Sequence, residues 1–324
     1  MTQFKWTLLG SVIGIIFLWF SLRGIDIHSM LASLKSVGLL PAIMALVAGM
    51  LFMLIKAWRW SVILGPVARV KLPLLFSAVY IGTAANLIIV HSGEVLRAAL
   101  VGRKSRVASS AVLASIGVER IFDFMTVAAL FGILLIINPQ LPEYVAAAGF
   151  IAILMVVTGL IVIVTLLVPS KIRKQARLLV IRLLPEKQLM MIRSHTKRSF
   201  VGFSALVSPS MVIHAFLLSI LQWSCIVSAI WLCVISVGHA ATLSMAITVW
   251  ILMVIGLTLP SSPAQLGTTQ LAFTLGLSLT LDETEIPFAA SVVYTCCVNI
   301  PYMVMGAVYW LRSGGIDVRP KKIH

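Results

Sequence analysis

Long apolar runs limit how this chain can fold more than any other feature of its sequence. Crossing the hydrocarbon core of a bilayer takes about 20 mostly apolar residues in one helix. Seven runs come near or pass that length: Leu8–Leu22, Leu39–Ile55, Phe124–Ile137, Tyr144–Val168, Met211–Val237, Met245–Leu259 and Ile286–Leu311. No polar stretch is long enough for a separate soluble catalytic domain. The pattern predicts an all-α, polytopic membrane protein.

Composition agrees with that prediction. Of the 324 residues, 60% are hydrophobic and 11% are charged, whereas soluble domains are about 45–50% apolar and about 25% charged. The first run follows Lys5, as in a signal peptide, but no small-x-small cleavage site comes after it. Arg23, Asp26 and Lys35 follow instead. We therefore expect the first run to be a retained helix.

The cysteines and histidines do not point to a metal site, a cofactor or a disulfide framework. The six histidines are scattered, without the spacing of a metal motif. The four cysteines lie inside apolar runs and are expected to be packing residues; they are Cys225, Cys233, Cys296 and Cys297. With no convincing nucleophile either, the sequence does not predict an enzyme.

Basic residues are unevenly divided among the segments that connect the runs. Most of the 25 Lys and Arg residues fall in segments 56–71, 96–107 and 171–198 and in the C-terminal tail. Segments 138–143, 238–242 and 281–285 carry acidic residues or no charge. Short loops rich in Lys and Arg stay in the cytoplasm. The division predicts a multi-pass protein of the inner (plasma) membrane, with both termini cytoplasmic.

The net charge of +15 belongs to this orientation signal. It is spread over loops and is not clustered with aromatic residues, so a nucleic-acid partner is not expected.

The basic segments 56–71 and 96–107 should both face the cytoplasm, and the first is expected to be a loop that holds Lys56 and Arg59. The apolar stretch 72–90 between them must then enter and leave the bilayer by the same face. The alternative is that this stretch is an ordinary span and that the segment after it lies outside.

A mirror case lies in the stretch 243–281, which should enter and return from the outer face. Pro260 and Pro263 each remove a backbone donor there, and Gly267 loosens the turn. Broken backbone at membrane depth is tolerated only where protein or a watery cavity surrounds it. We therefore expect residues 260–267 to line a polar cavity.

Residues 1–140 and 141–324 then contain the same order of parts in opposite orientation, with a cytoplasmic basic segment at 169–205 in the second half. The predicted architecture is about six full spans plus two re-entrant or broken segments, arranged as an inverted repeat. This arrangement is typical of secondary transporters, whose sites lie near the midplane at broken helices.

Two clusters of charged residues enter the apolar part of the first half. In the first, Glu94 and Arg97 are three residues apart and share a helix face. In the second, Glu119, Arg120 and Asp123 begin a predicted helix over 119–137 and can form one network. An ionisable group at mid-bilayer costs about 3 kcal/mol by insertion scales. Either these groups pair only to fix helix packing, or they form a site.

Several motifs in this sequence resemble the flippase-like family, the transmembrane part of lysylphosphatidylglycerol synthase and its stand-alone relatives. The similarity covers about residues 8–311. The segments that carry it are Tyr80-Ile-Gly-Thr-Ala-Ala-Asn86, Gly93-Glu-Val-Leu-Arg97, Ser109-Ser-Ala-Val-Leu-Ala-Ser115, Val118-Glu-Arg-Ile-Phe-Asp123 and Leu259-Pro-Ser-Ser-Pro-Ala-Gln-Leu-Gly-Thr-Thr-Gln270.

The resemblance implies work on lipids. In synthase-fused members this membrane part moves the aminoacylated phospholipid between leaflets, while a separate soluble domain makes it. No such soluble domain is found here, so synthesis is not expected. The second motif departs from the family's Pro-Gly-Gly-x-Gly-x-x-Glu, because Ala264-Gln265 replaces the glycine pair and Gln270 replaces the acid. That change leaves the substrate, and any proton coupling through the carboxylate, open.

The expected function is translocation, or help in translocation, of a lipid or lipid-linked headgroup between leaflets. Arg97 and Arg120 would contact its phosphate, and Glu94, Glu119 and Asp123 would hold those arginines or exchange protons. The other candidate substrate-binding residues are Asn86, Gly93, Pro260, Ser262, Pro263, Gly267 and Gln270. The expected partner is a phospholipid or other anionic lipid. The alternative is a membrane-embedded subunit or scaffold of a lipid-modifying enzyme.

Overall fold

A computed structural model describes residues 2–23, 25–88, 92–137, 209–256, 263–281, 283 and 285–313, together with residues 154, 157, 158 and 161. For residues 2–10 and 263 only the backbone is described. The described segments contain helices and no strand, which confirms the all-α class. The helices are α1 (Thr2–Leu22), α2 (Ile27–Lys35), α3 (Leu39–Leu64), α4 (Leu72–Ile88), α5 (Ser92–Ser105), α6 (Ser109–Ile137), α7 (Pro209–Ser236), α8 (Leu243–Gly256), α9 (Thr268–Leu277) and α10 (Glu285–Arg312).

Four of the described helices, α3, α6, α7 and α10, are long and apolar enough to cross a bilayer. They have 26 to 29 residues, or about 39–44 Å of helix, against a hydrocarbon thickness of about 30 Å. Helices α1 and α2, bent by 92° at their junction, count as a fifth candidate if they are taken as one span. The chain is therefore a multi-pass membrane protein. The predicted span 144–168 and basic segment 169–205 lie outside the described residues.

Helix α3 corrects the prediction made for the segment after residue 55. Lys56 and Arg59 were expected in a cytoplasmic loop, but the helix continues to Leu64 and includes both. Arg59 is fully buried. The apolar run ends at Ile55, but the helix continues to Leu64. Arginine and lysine have helix propensities close to that of leucine, and the charge of Arg59 has buried partners. Likewise, helix α5 includes most of the basic segment 96–107. Helix α6 begins at Ser109, before the predicted helix start at residue 119.

Contacts between the long helices fix their relative directions. Along α3 and α7, Gly38 N–H donates to Ser236 O at 2.7 Å, and Arg59 Nη1 donates to Ser219 Oγ at 2.8 Å. The start of α3 therefore lies beside the end of α7, and later residues of α3 meet earlier residues of α7, so the two helices are antiparallel. Trp60 Nε1 donates to Ser115 Oγ at 3.0 Å near the start of α6. The end of α3 and the starts of α6 and α7 thus lie on one side of the molecule.

Helices α4 and α5 form a hairpin, and the start of α4 and the end of α5 both lie on the side where α3 ends and α6 begins. The connection between α3 and α4 has seven residues, 65–71, and spans at most about 24 Å, which is much less than the length of α3. Gly102 near the end of α5 packs against Ser109 at the start of α6. Within the hairpin, the backbones of Gly82 and Gly93 touch, and a Cβ on Gly93 would overlap Gly82 O.

Helices α8 and α9 form a second hairpin, which opens toward the other side of the molecule. Gly276 packs against Val249 and Gly256 packs against Thr268, so the two helices are antiparallel. Six residues, 237–242, separate the start of α8 from Ser236, the end of α7 that lies beside the start of α3. On this side also, Glu285 Oε1 accepts from the backbone N–H of Asp26 at 3.3 Å.

The structure describes one hairpin within residues 1–140, α4 with α5, and one within residues 141–324, α8 with α9. Helix α10 contains a π-helical turn over Thr295–Asn299, and Thr295 and Asn299 contact Gln270 and Ala264 at the second hairpin. The inverted repeat itself stays a prediction, because the first helix of the second half lies outside the described residues.

Candidate functional site

Six side chains of alternating charge form one continuous chain inside the bundle. It begins at Glu94 on α5, crosses to Arg120 and Asp123 on α6, passes through Arg59 on α3, returns to Glu119 on α6 and ends at Arg97 on α5. Each carboxylate in the chain contacts at least one arginine. These ion pairs thereby join α3, α5 and α6.

The most buried part of this chain is centred on Arg59. Its Nη1 lies 2.7 Å from Asp123 Oδ1 and its Nη2 lies 3.2 Å from Glu119 Oε1, and both Arg59 and Glu119 are fully buried. Ser219 Oγ accepts from Arg59, and Trp223 Nε1 donates to Asp123 Oδ1 at 3.2 Å. Breaking a buried pair leaves an uncompensated charge, which costs about 3–5 kcal/mol. This part of the network holds α3, α6 and α7 together.

Arg97 forms the inner end of the chain. Its Nη2 donates to Glu119 Oε2 at 2.9 Å, and its guanidinium lies 4.8 Å from the centroid of the Trp60 ring. Trp60 is itself held by the hydrogen bond to Ser115. Both the carboxylate and the ring face favour the cation. Arg97 is therefore fixed in place by neighbours on α3 and α6.

The outer end of the chain is more open. Arg120 lies 3.5 Å from both Glu94 Oε1 and Asp123 Oδ2, and its side chain is 39% exposed. Arg120 Nε has no hydrogen-bond partner within the described part of the chain. Longer contacts and partial exposure leave the guanidinium of this arginine able to bind another anion.

Asn86 ties this end to the tip of the first hairpin. Its Oδ1 accepts from the N–H of Gly93 at 2.7 Å, and its Nδ2 donates to Glu94 Oε1 at 3.2 Å. Ser92 Oγ also donates across the tip to Ala85 O. The amide of Asn86 thus fixes both the start of α5 and the carboxylate that meets Arg120.

A small polar cleft lies beside these residues, between α3, α4, α5 and α6. Its polar and charged lining residues are Lys56, Thr83, Asn86, Glu94, Arg97 and Arg120. Three cations and one carboxylate therefore face the cleft, which gives it the chemistry of an anion site.

The prediction that Glu119, Arg120 and Asp123 form one network needs a correction in its detail. Arg120 contacts Asp123 directly, as the spacing predicted. Glu119 is joined to Asp123 by Arg59, which comes from another helix. In the same way, Glu94 meets Arg120 and Arg97 meets Glu119, where an ion pair along α5 was one expectation. Tertiary pairing replaces the local pairs in both clusters.

The second hairpin has its own fixed tip. Gln270 Oε1 accepts from the N–H of Gly267 at 2.7 Å, and Gln270 Nε2 donates to Thr295 Oγ1 in the π-helical turn at 3.4 Å. Ala264 and Gln265 have positive φ values of 59° and 57°, a conformation that side chains other than glycine rarely adopt. Asn299 Nδ2 donates to Ala264 O at 3.4 Å. An amide side chain thus holds a glycine N–H at each hairpin tip.

Of the residues predicted at the second break, Gly267 and Gln270 are buried and belong to this group. Pro263 begins the short turn that leads into it. Pro260 and Ser262 lie outside the described residues, so the cavity expected at residues 260–267 stays a prediction. The turn packs against α4 of the first hairpin.

Sequence reasoning missed four residues of the first site: Lys56, Arg59, Ser219 and Trp223. A signal for the first two was present, because Lys56 and Arg59 are three apart and flanked by Trp58 and Trp60 in a run that continues apolar to Leu64. No local signal marked Ser219 or Trp223, which lie about 100 or more residues from their partners.

Comparison with protein families decides what this arrangement belongs to. The family model for the lysylphosphatidylglycerol synthase TM region matches residues 7–306. The chain belongs to this family. Membership of the lysylphosphatidylglycerol synthase TM family makes the chain a membrane protein linked to lipid modification or flipping. A comparison with curated proteins gave no match.

Proposed function

We propose that this member of the lysylphosphatidylglycerol synthase TM family translocates, or helps to translocate, an anionic lipid between the two leaflets of the inner membrane. The observation that carries the proposal is the cleft beside the charged chain, with Lys56, Arg97 and Arg120 in its wall. A polar cleft inside a bundle of membrane-crossing helices is needed when a headgroup must pass a hydrocarbon layer.

In this proposal the headgroup meets the bundle at the cleft, where Lys56, Arg97 and Arg120 lie. The acyl chains would remain among the exposed apolar side chains outside the bundle. Arg120, with 39% of its side chain exposed, is the expected contact for the phosphate.

The two hairpins supply the path in this proposal. Each would re-enter the membrane from one face, with its tip near mid-depth, because α4 has only 17 residues and α8 only 14. These lengths correspond to about 26 and 21 Å of helix, less than the hydrocarbon thickness of about 30 Å. The face that carries Lys71, Arg103 and Arg312 would be cytoplasmic.

A translocation assay with the protein alone in liposomes tests this function. Fluorescent phosphatidylglycerol and phosphatidylcholine analogues are incorporated, and the fraction that a membrane-impermeant quencher reaches is followed with time. The protein should speed the exchange of the phosphatidylglycerol analogue over protein-free liposomes, and do so less for phosphatidylcholine. Equal rates with and without protein would reject the proposal.

The same assay separates the second candidate function, a membrane-embedded subunit or scaffold of a lipid-modifying enzyme. The family name, which refers to a synthase, favours keeping this candidate. A scaffold would bind lipid without speeding exchange, and would co-purify with a modifying enzyme from native membranes.

A further inference from the structure

Lys56 is a cation of the cleft that the charged chain does not use. It lies on α3, one helical turn before Arg59, and its side chain lines the cleft. Its ammonium lies 5.7 Å from the centroid of the Phe52 ring. Among the residues that the structure describes, Lys56 has no carboxylate within ion-pair distance. Its contact with Phe52 orients the ammonium and leaves its charge unmatched.

A charge count over the site assigns the excess to this residue. The chain of six contains three arginines and three carboxylates in alternation, and these balance. Lys56 adds one positive charge that is not balanced within the site. An unpaired ammonium in a low-dielectric region is costly, so the arrangement is stabilised when an anion enters the cleft.

Arg59 and Arg97 are less suited than Lys56 to select among lipid headgroups. Both guanidinium groups are already paired with carboxylates of the site at 2.7–3.2 Å. An ammonium is a compact charge with three rotatable donors on a flexible stem, and it adapts to a ligand oxygen.

We propose that Lys56 is the specificity-determining residue of the cleft: its ammonium binds the phosphate of an anionic lipid headgroup and discriminates against headgroups that carry a cation. A zwitterionic headgroup would bring its own ammonium toward Lys56 and Arg120, which like-charge repulsion opposes. This inference rests on the proposed function, because it names the lipid class that the same cleft accepts.

The test compares the full-length wild type with Lys56→Gln, Lys56→Met and Lys56→Arg, and with Lys104→Gln as the matched control, since Lys104 is an exposed cation on α5. Each purified protein is mixed with equal amounts of phosphatidylglycerol and phosphatidylcholine, and the bound ratio is measured by native mass spectrometry. The wild type and Lys104→Gln should prefer phosphatidylglycerol. Lys56→Gln and Lys56→Met should lose about tenfold of that preference, and Lys56→Arg should keep most of it.

Thermal unfolding of each variant is the folding control. Because Lys56 has no carboxylate partner to leave unpaired, Lys56→Met should unfold at or above the wild-type temperature. If it does, and its preference for phosphatidylglycerol equals that of the wild type, the role of Lys56 is rejected while the proposed function stands. A wild type without any preference rejects instead the anionic-lipid function on which the inference rests.

A last arm separates a lipid from a free phosphodiester. Glycerophosphoglycerol, the deacylated form of phosphatidylglycerol, is added as a competitor. It should displace the bound lipid only at much higher concentration, because it lacks the acyl chains. Displacement at equal concentration would reject a lipid as the ligand of Lys56.

Discussion

Arg59 Nη1 on α3 lies 2.7 Å from Asp123 Oδ1 on α6, between residues 64 positions apart in the sequence. The same guanidinium contacts Glu119 and donates to Ser219 on α7. One fully buried cation therefore joins three membrane-crossing helices. This relationship divides the charged chain into a structural part around Arg59 and a ligand-accessible part around Arg120 and Lys56.

The first prediction concerns the structural part. Arg59→Met should reduce stability by about 3–5 kcal/mol, because Glu119 and Asp123 would lose a shared buried partner. The measurement is thermal unfolding in detergent together with the amount of folded protein in the membrane. Lys56→Met is the control, since it removes a cation from the same helix without leaving a carboxylate unpaired. Equal stability of the two variants would contradict the structural role of Arg59.

The second prediction concerns the accessible part. Arg120→Ala should abolish lipid exchange in liposomes while the protein still inserts and folds, because the remaining network around Arg59 stays intact. Arg120→Lys should be partly active, since it keeps the charge and loses the fork. Arg312→Ala, at an exposed position at the end of α10, should behave as the wild type. Normal exchange per molecule in Arg120→Ala would remove this residue from the mechanism.

The third prediction concerns the tip of the first hairpin. Gly93→Ala should disrupt the hairpin, because the new Cβ would overlap the backbone of Gly82 and approach Asn86 Cγ within 2.8 Å. Folded protein should fall severely, as overpacking against backbone cannot relax by a rotamer change. Gly132→Ala on α6 is the matched control, since its Cβ would have no atom within 4 Å. Similar yields for the two variants would show that the hairpin tip is looser than described.

The fourth prediction concerns orientation. In a background without the four native cysteines, a single cysteine at Arg103 or Lys104 should resist a membrane-impermeant thiol reagent in intact cells, because positive loops stay cytoplasmic. A cysteine at the exposed position of His28 on α2, on the opposite side of the molecule, should be labelled. Labelling at Arg103 with protection at His28 would reverse the proposed orientation.

The fifth prediction concerns the second hairpin. Gln270→Leu should free the N–H of Gly267 and remove the contact with Thr295, leaving a buried donor without a partner at a cost of about 1–3 kcal/mol. Gln270→Glu keeps an acceptor for Gly267 and should be milder. Thermal unfolding of both variants compares their stabilities. A greater loss of stability in Gln270→Glu would show that the hydrogen bond donated by the amide Nε2 matters more than the one accepted by Oε1.

Much of this protein could be predicted from its sequence, since hydropathy and charge act locally. Apolar runs must become helices in a bilayer because each backbone polar group needs an internal partner, and this determined the all-α, multi-pass class. Glu94, Arg97, Glu119, Arg120 and Asp123 were identifiable because charges inside apolar helices are costly and need a reason. In the structure, ion pairs through Arg59 join them into one network.

Only the tertiary structure decided which charge meets which. Arg59 looked like a loop residue because its compensation comes from Glu119, Asp123 and Ser219, which are 60 to 160 positions away. Spacing along a helix predicts neighbours on one face, but a buried carboxylate takes the nearest cation from any helix. The unmatched charge of Lys56 became visible only after every other pair had been assigned in space, because charge balance is a property of the packed site and not of a segment.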